Sequence, residues 1–224
     1  MPTNRKVVFV NDEIYHVFNR GVEKRPTFIN KWELKRAILT LDYYRFAKLP
    51  IKLSKFLILP NSDQTKLLES IKKDCEKLVE IICFCLMPNH FHFLLKQKVD
   101  KGIPIFISNF TNSYTKYFNT RNERVGPLFQ GIFKAVRIES EEQLIHVSRY
   151  IHLNPVSSFL IKPEDLENYE WSSYPEYLDL MNRSIVDKEI VVGLFSSLEK
   201  YKKFVLDQVD YARTLEKIKH MALE

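Results

Sequence analysis

Two histidines separated by one residue, His90 and His92 in the stretch HFHFLLK, have the spacing of a chemical site. On an extended strand alternate side chains share a face, so both imidazoles project one way and Phe91 the other. Their Cα atoms then lie roughly 6–7 Å apart, close enough for the rings to converge on one cation. A His-x-His motif is short and arises by chance, and two histidines satisfied by ordinary hydrogen bonds fit it too. The setting favours chemistry. The pair opens a strand directly after Met87-Pro88-Asn89, and Phe93, Leu94 and Leu95 continue as an apolar run. The histidines therefore stand at the strand's end, where a site can open to solvent.

Tyr150 and Asn154 form a second constellation. Helix positions four apart are neighbours on one face, so a phenol and a side-chain amide meet the same point. The amide oxygen is a hard ligand suited to Mg²⁺ or Mn²⁺. The phenol is a covalent nucleophile once a base or cation helps it, since its ordinary pKa is about 10. The same two residues also suit a packing tyrosine on an amphipathic helix and an asparagine that caps the helix before Pro155. Basic and aromatic residues, Tyr114, Lys116, Tyr117, Arg121, Arg124, Lys134 and Arg137, lie around these motifs. Such interleaving suits a groove in which cations meet phosphates and rings stack on unpaired bases. It equally suits a solvated helix face above core aromatics. With Arg20, the residues Lys116, Arg121, Arg124, Lys134 and Arg137 are the candidate DNA contacts.

The elements that must hold these residues are legible in the pattern. Glu13 to Arg20 is rich in β-formers and ends at Gly21, which predicts a strand. Apolar residues at three and four spacings predict a helix over Lys31 to Phe46. Pro50 to Asp63 reads as an irregular connection, and Gln64 to Leu78 as a short helix. Val79 to Leu86 and His90 to Lys96 flank Met87-Pro88-Asn89 as a hairpin. A helix over Ile103 to Arg121 follows, then a break at Val125-Gly126-Pro127 and a strand over Phe129 to Ile138 interrupted by Gly131. Ser140 is an N-cap with Glu141, Glu142 and Gln143 in the first turn. The helix it opens runs through Leu144, Val147, Tyr150 and Ile151 and is expected to stop near Pro155. Strand, helix, hairpin, helix, strand, helix is an α+β order: an antiparallel sheet with helices on one face. Beyond Leu160 come a polar segment with Trp171 and Tyr174 and helices over Lys188 to Leu198 and Glu199 to Lys219.

Composition sets limits. The 224 residues suit one domain with a modest extension, and 45 % hydrophobic against 28 % charged residues is a globular balance, not a disordered one. A net charge of +6 and a pI near 9.0 favour an anionic partner, or simply describe a basic soluble protein. Cys75, Cys83 and Cys85 are an odd count, with the last two poorly placed for a bridge, so buried thiols in a reducing cytoplasm are expected. The N-terminus lacks the apolar core of a signal peptide, and Ile81 to Met87 is too short an apolar run to span a bilayer. No HExxH motif and no Walker-type glycine loop occur. His16, His146, His152 and His220 remain spare, and the spacing of His16 on the first strand assigns it nothing. They leave room for a small-molecule metallohydrolase, although catalytic zinc usually takes three protein ligands.

Five short motifs, IYHVFNRGVEKRPTF, CLMPNHFHFLL, GPLFQGIFKAVRIES, SRYIHLNPV and YEWSSYPEYL, occur in the order and at the intervals of one family. The chain resembles the REP-associated tyrosine transposases, single-tyrosine insertion-sequence transposases of the HUH nuclease superfamily, over about residues 12–180. The resemblance implies a ferredoxin-like antiparallel sheet with helices packed on it. It implies a catalytic domain over residues 1–160 and a C-terminal helical extension over residues 161–224. His90 and His92 would bind a divalent metal, Mg²⁺ or Mn²⁺, with Asn154 completing the shell. Tyr150 would be the nucleophile that forms a 5′-phosphotyrosine on single-stranded DNA beside palindromic hairpins. Relatives work as monomers or as homodimers that exchange catalytic helices. Ile132 stands where relatives often carry Arg. A catalytically silent DNA- or RNA-hairpin-binding protein is the alternative the resemblance leaves.

Overall fold

Alternation in the first strand already sorts its side chains: Tyr15, Val17 and Asn19 are buried, whereas His16 and Phe18 are half-buried on the opposite face. The structure, a computed structural model, describes residues 7–214. Its strands are β1 (Ile14–Arg20), β2 (Val79–Met87), β3 (His90–Gln97) and β4 (Lys134–Arg137). The helices are α1 (Lys31–Tyr44), α2 (Leu53–Phe56), α3 (Asn61–Asp74), α4 (Gly102–Arg121), α5 (Glu141–Ser157), α6 (Tyr174–Tyr177), α7 (Glu189–Val192) and α8 (Leu198–Leu206). The strands form one sheet in the order β2-β3-β1-β4, and every pairing is antiparallel. This is the expected α+β sheet with helices packed on it.

The helices cover both faces, not one. The strand sequence VEIICFCLM is apolar almost without interruption, the composition of a strand buried on both sides. On one face Phe84, Leu86, Phe91 and Phe93 pack with Phe106, Phe110 and Tyr114 of α4 and with Ala37 and Leu41 of α1. Phe91 stacks on Phe93 at 4.4 Å and meets Phe110 edge-on at 5.3 Å. Burying each such ring contributes about 1.5–3 kcal/mol. On the other face Ile82, Cys83, Cys85 and Leu94 pack with Leu144, Ile151 and Leu153 of α5. A register shift between Ile81 and Cys83 breaks the alternation and lets Ile82 and Cys83 share that side.

The segment from residue 161 to residue 214 completes this second face. Tyr174, Tyr177, Tyr201 and Val205 are buried in the same cluster. The Tyr177 hydroxyl donates to the Ile82 carbonyl at 2.8 Å and that of Tyr169 to the Leu86 carbonyl at 2.8 Å. Trp171, Ser173 and Asp187 pair with the outer edge of β2 through Leu86, Phe84 and Ile81, so the edge is not left as a free template. Cys83 and Cys85 are buried thiols as expected, Cys75 is half-buried, and none is bonded.

Ser140 caps α5 as expected, accepting the Gln143 N–H. The helix does not stop at Pro155 but runs on to Ser157. A proline inside a helix costs about 3 kcal/mol. Burial of Leu153, Pro155 and Val156 against the sheet offsets that, and Ser158 N–H resumes the ladder at the Asn154 carbonyl, 3.1 Å away. The strand expected over Phe129 to Ile138 shrinks to Lys134–Arg137, with Phe129 making a single bridge to Gly21. Gln130, Gly131 and Ile132 are exposed and have no strand to pair with on both sides. α2 occupies part of the connection expected to be irregular, and α3 begins at Asn61 and ends at Asp74 rather than spanning Gln64 to Leu78. Residues 76–78 are instead paired with residues 45–47: Ala47 N–H donates to the Glu76 carbonyl and Leu78 N–H to the Arg45 carbonyl, each at 2.7 Å. The first C-terminal helix is shorter than expected, α7 ending at Val192, and the second, α8 capped by Ser197, is interrupted at residues 207–208 before helix resumes over 209–214. The part of the second beyond residue 214 lies outside the described residues.

Candidate active site

β3 sends Phe91 and Phe93 into the α1–α4 core, which turns His90 and His92 toward α5. Across the pairing with β1, Arg20 stands opposite His90, Phe18 opposite His92 and His16 opposite Leu94. Three imidazoles therefore share one sheet face. The His90 and His92 rings are 5.0 Å apart and perpendicular, and the His16 ring lies edge to edge with His92, centroids 5.1 Å apart.

The turn before β3 orients His90. Asn89 Nδ2 donates to the Lys24 carbonyl at 3.0 Å, which leaves Asn89 Oδ1 facing His90 Nδ1 at 2.6 Å. An amide oxygen only accepts, and Asn89 Oδ1 makes the shorter of the two amide contacts to this ring, so the tautomer protonated on Nδ1 leaves Nε2 with a lone pair. That Nε2 faces Asn154 Oδ1 at 3.3 Å. Two electron-pair donors aimed at one point is the chemistry of a cation site. The Lys24 loop is itself tightly built. Glu23 and Lys24 take left-handed backbone angles, and a Cβ on Gly21 would lie 2.4 Å from the Arg25 carbonyl oxygen.

His92 is only 5 % exposed, and its Nδ1 lies 2.9 Å from His16 Nε2. Burial, reinforced by His16, His90 and Arg20, holds the His92 pKa well below its ordinary value. Burial also brings His16 down to about 4. Both rings are neutral near pH 7, the form in which imidazole binds metal.

α5 lies across this face. Tyr150 is 43 % exposed, and its ring meets His92 edge-on at 5.4 Å and His16 at 5.9 Å. One turn further on, Asn154 is buried beside His90. The opposite side of the helix is anchored through His152, whose Nδ1 is 2.8 Å from the Tyr201 hydroxyl and whose Nε2 is 2.8 Å from Ser173 Oγ. Burial brings His152 down to about 3, so it is a neutral structural joint between α5, α8 and β2. The site thus combines two imidazoles, an amide oxygen and a half-exposed phenol. Among the described residues no three His, Cys, Asp or Glu side chains cluster as metal ligands.

Residues 50–154 match the family model of IS200-like transposases. The match encloses both histidines and Tyr150 and ends at Asn154. A solved structure of a REP-associated tyrosine transposase bound to a REP hairpin shares the fold. Its TM-score is 0.51 at 15 % identity, over 83 % of this chain and 89 % of that one. Among curated protein sequences none matches. No described helix is long and apolar enough to cross a membrane.

The basic candidates fall into two groups. Arg20 and Lys134 are exposed on β1 and β4, opposite His90 and Phe18 respectively, and flank the site. Arg137, at the far end of β4, is tied to Glu13 at 2.7 Å. Lys116 and Arg121 are exposed on α4, which packs on the other side of the sheet. Arg124 folds back onto Asn119, Gly126 and Pro127 and holds its own loop together. The structure therefore does not bring Lys116, Arg121 or Arg124 to the histidines. Of the spare histidines, His146 is exposed beside Arg149 at 2.6 Å and His220 lies outside the described residues. His16 is the residue whose importance the sequence did not reveal. Its only local signal was alternation with Tyr15 and Val17, which names a face and not a partner.

Proposed function

We propose that this chain is a hairpin-directed tyrosine nuclease and strand-transferase acting on single-stranded DNA. The observation that supports it best is the meeting of two elements. One turn of α5 lays the Tyr150 ring on His92 and Asn154 Oδ1 beside His90 Nε2. His90, His92 and Asn154 would hold a divalent cation, Mg²⁺ or Mn²⁺, and their donor set fits it. Bound there, such an ion would supply Lewis-acid polarisation of the scissile phosphate and offset the charge that grows on it. Tyr150 would attack in line. Its oxygen bonds to phosphorus, the bond to the 3′ oxygen breaks, and a 5′-phosphotyrosine and a free 3′-OH result. The phenol proton passes to solvent, and the leaving oxygen takes one up. Reversal with the same or another 3′-OH rejoins strands without ATP, because the linkage conserves the bond energy. Arg20 and Lys134 flank the site as phosphate contacts. In this reading residues 1–160 carry the chemistry and residues 161–224 form an extension whose Tyr177 and Tyr201 buttress α5.

The test is incubation with labelled single-stranded hairpin oligonucleotides and Mn²⁺, followed by a denaturing gel. Wild-type protein yields a covalent adduct. Tyr150→Phe yields none, yet binds the hairpin within a few-fold and melts at the same temperature, since only an exposed hydroxyl is lost. EDTA stops cutting, and added Mg²⁺ or Mn²⁺ restores it. Hairpin binding without any wild-type adduct would refute the proposal and mark a silent hairpin-binding relative. Undiminished cutting in EDTA would remove the metal from it.

A further inference from the structure

We infer that His16 is a positioning residue: its Nε2 accepts the Nδ1 proton of His92 and so fixes His92 in the tautomer that presents Nε2 to the cation. The inference rests on the metal-assisted reading above and adds a residue to it. The geometry is specific. His16 Nε2 lies 2.9 Å from His92 Nδ1, and the two rings lie edge to edge, centroids 5.1 Å apart with 26° between their planes. His16 therefore occupies the Nδ1 side of His92, and only Nε2 is left for a metal. A neutral imidazole carries one ring proton, and a ligating nitrogen must be bare. If His92 binds through Nε2, its proton is on Nδ1, and His16 Nε2 is the acceptor within reach. Metal-bound histidines almost always donate their second ring nitrogen in this way, and the partner sets both ring angle and basicity. Asn89 Oδ1 does the same for His90 at 2.6 Å. Each ligand imidazole thus has its own acceptor: one from the adjoining turn, the other from β1.

His16 is well held for the task. β1 sits between β3 and β4, so its backbone is bonded on both sides. The ring is flanked by Phe18 at 5.1 Å and Tyr150 at 5.9 Å. The phenol thus leans on the same ring that orients His92, so His16 joins the nucleophile and the ligand pair.

The test compares wild type, His16→Leu and His16→Gln. Leu matches the apolar part of the ring without an acceptor. Gln returns an amide oxygen that can take the His92 proton. Long-range ¹H–¹⁵N spectra of the histidine rings, recorded in EDTA, report the tautomer without any metal. Wild type and His16→Gln are expected to show His92 protonated on Nδ1, and His16→Leu to show Nε2 protonation. Mn²⁺ binding, read by electron paramagnetic resonance, is expected to weaken roughly 10–100-fold in His16→Leu and to recover within a few-fold in His16→Gln. Hairpin affinity in EDTA is expected to stay constant across the three. His92 protonated on Nε2 in wild type, or His16→Leu binding Mn²⁺ as tightly as wild type, overturns the inference. His16→Gln binding as weakly as His16→Leu also overturns it, since any packing defect would explain both. Absence of Mn²⁺ binding and DNA cleavage in wild type instead defeats the functional reading, and the ring spectra still decide whether His16 sets the tautomer.

Discussion

Tyr201→Phe removes a single oxygen from the joint behind α5, and its cost follows from the contacts that oxygen makes. The hydroxyl lies 2.8 Å from His152 Nδ1 and 3.3 Å from Ser148 Oγ, and Tyr201, His152 and Ser148 are all fully buried. The phenyl ring keeps its packing against Tyr177 and Phe195, so only the polar contacts are lost. A buried ring nitrogen left without a partner costs about 1–3 kcal/mol. For a chain of this length each kcal/mol lowers the melting temperature by roughly 2–4 °C. Tyr201→Phe should therefore melt about 2–12 °C below wild type in calorimetry. His152 contacts Tyr201 and Ser173, on the side of α5 opposite the histidine pair. Cleavage measured well below both midpoints should thus stay within a few-fold. A midpoint within about 1 °C of wild type, roughly half the smallest loss that one unpaired nitrogen allows, would refute the idea that this joint anchors α5.

Other consequences are as direct. Gly21→Ala forces a Cβ to within 2.4 Å of the Arg25 carbonyl oxygen and 2.8 Å of Thr27 Cγ2, so the loop that holds Asn89 must shift. A cost of about 1–3 kcal/mol in urea unfolding is expected, with weaker Mn²⁺ binding, because Asn89 no longer aligns His90. Unchanged Mn²⁺ affinity in a destabilised Gly21→Ala protein would separate the loop from the site. Arg20→Ala should lower the slope of log affinity against log salt for single-stranded hairpins by about 0.7, the value of one lost phosphate contact. Lys116→Ala and Arg121→Ala, on the far side of the sheet, should leave that slope unchanged. The reverse result would place the DNA on the α4 face.

How much of this was legible in the sequence depends on the range of each interaction. Strand alternation alone put His90 and His92 on one face, and helical spacing alone put Tyr150 and Asn154 together. The uninterrupted apolar run of β2 carried the information that both faces of the sheet are covered, although the expectation was helices on one. Pro155 reads locally as a helix stop. Only the burial of its neighbours against the sheet keeps it inside α5. The basic residues looked alike as a string, and the fold divides them between two sides of the sheet.

Backbone geometry repeats every two or 3.6 residues, so a sequence by itself determines which side chains share a face within one element. Strand, hairpin and cap positions in this chain follow from that. Which faces meet is settled by strand register and by burial over long separations. Tertiary structure alone brought His16 to His92 across 76 positions, turned Lys116 and Arg121 away from the site, and folded Tyr201 under the helix that carries Tyr150.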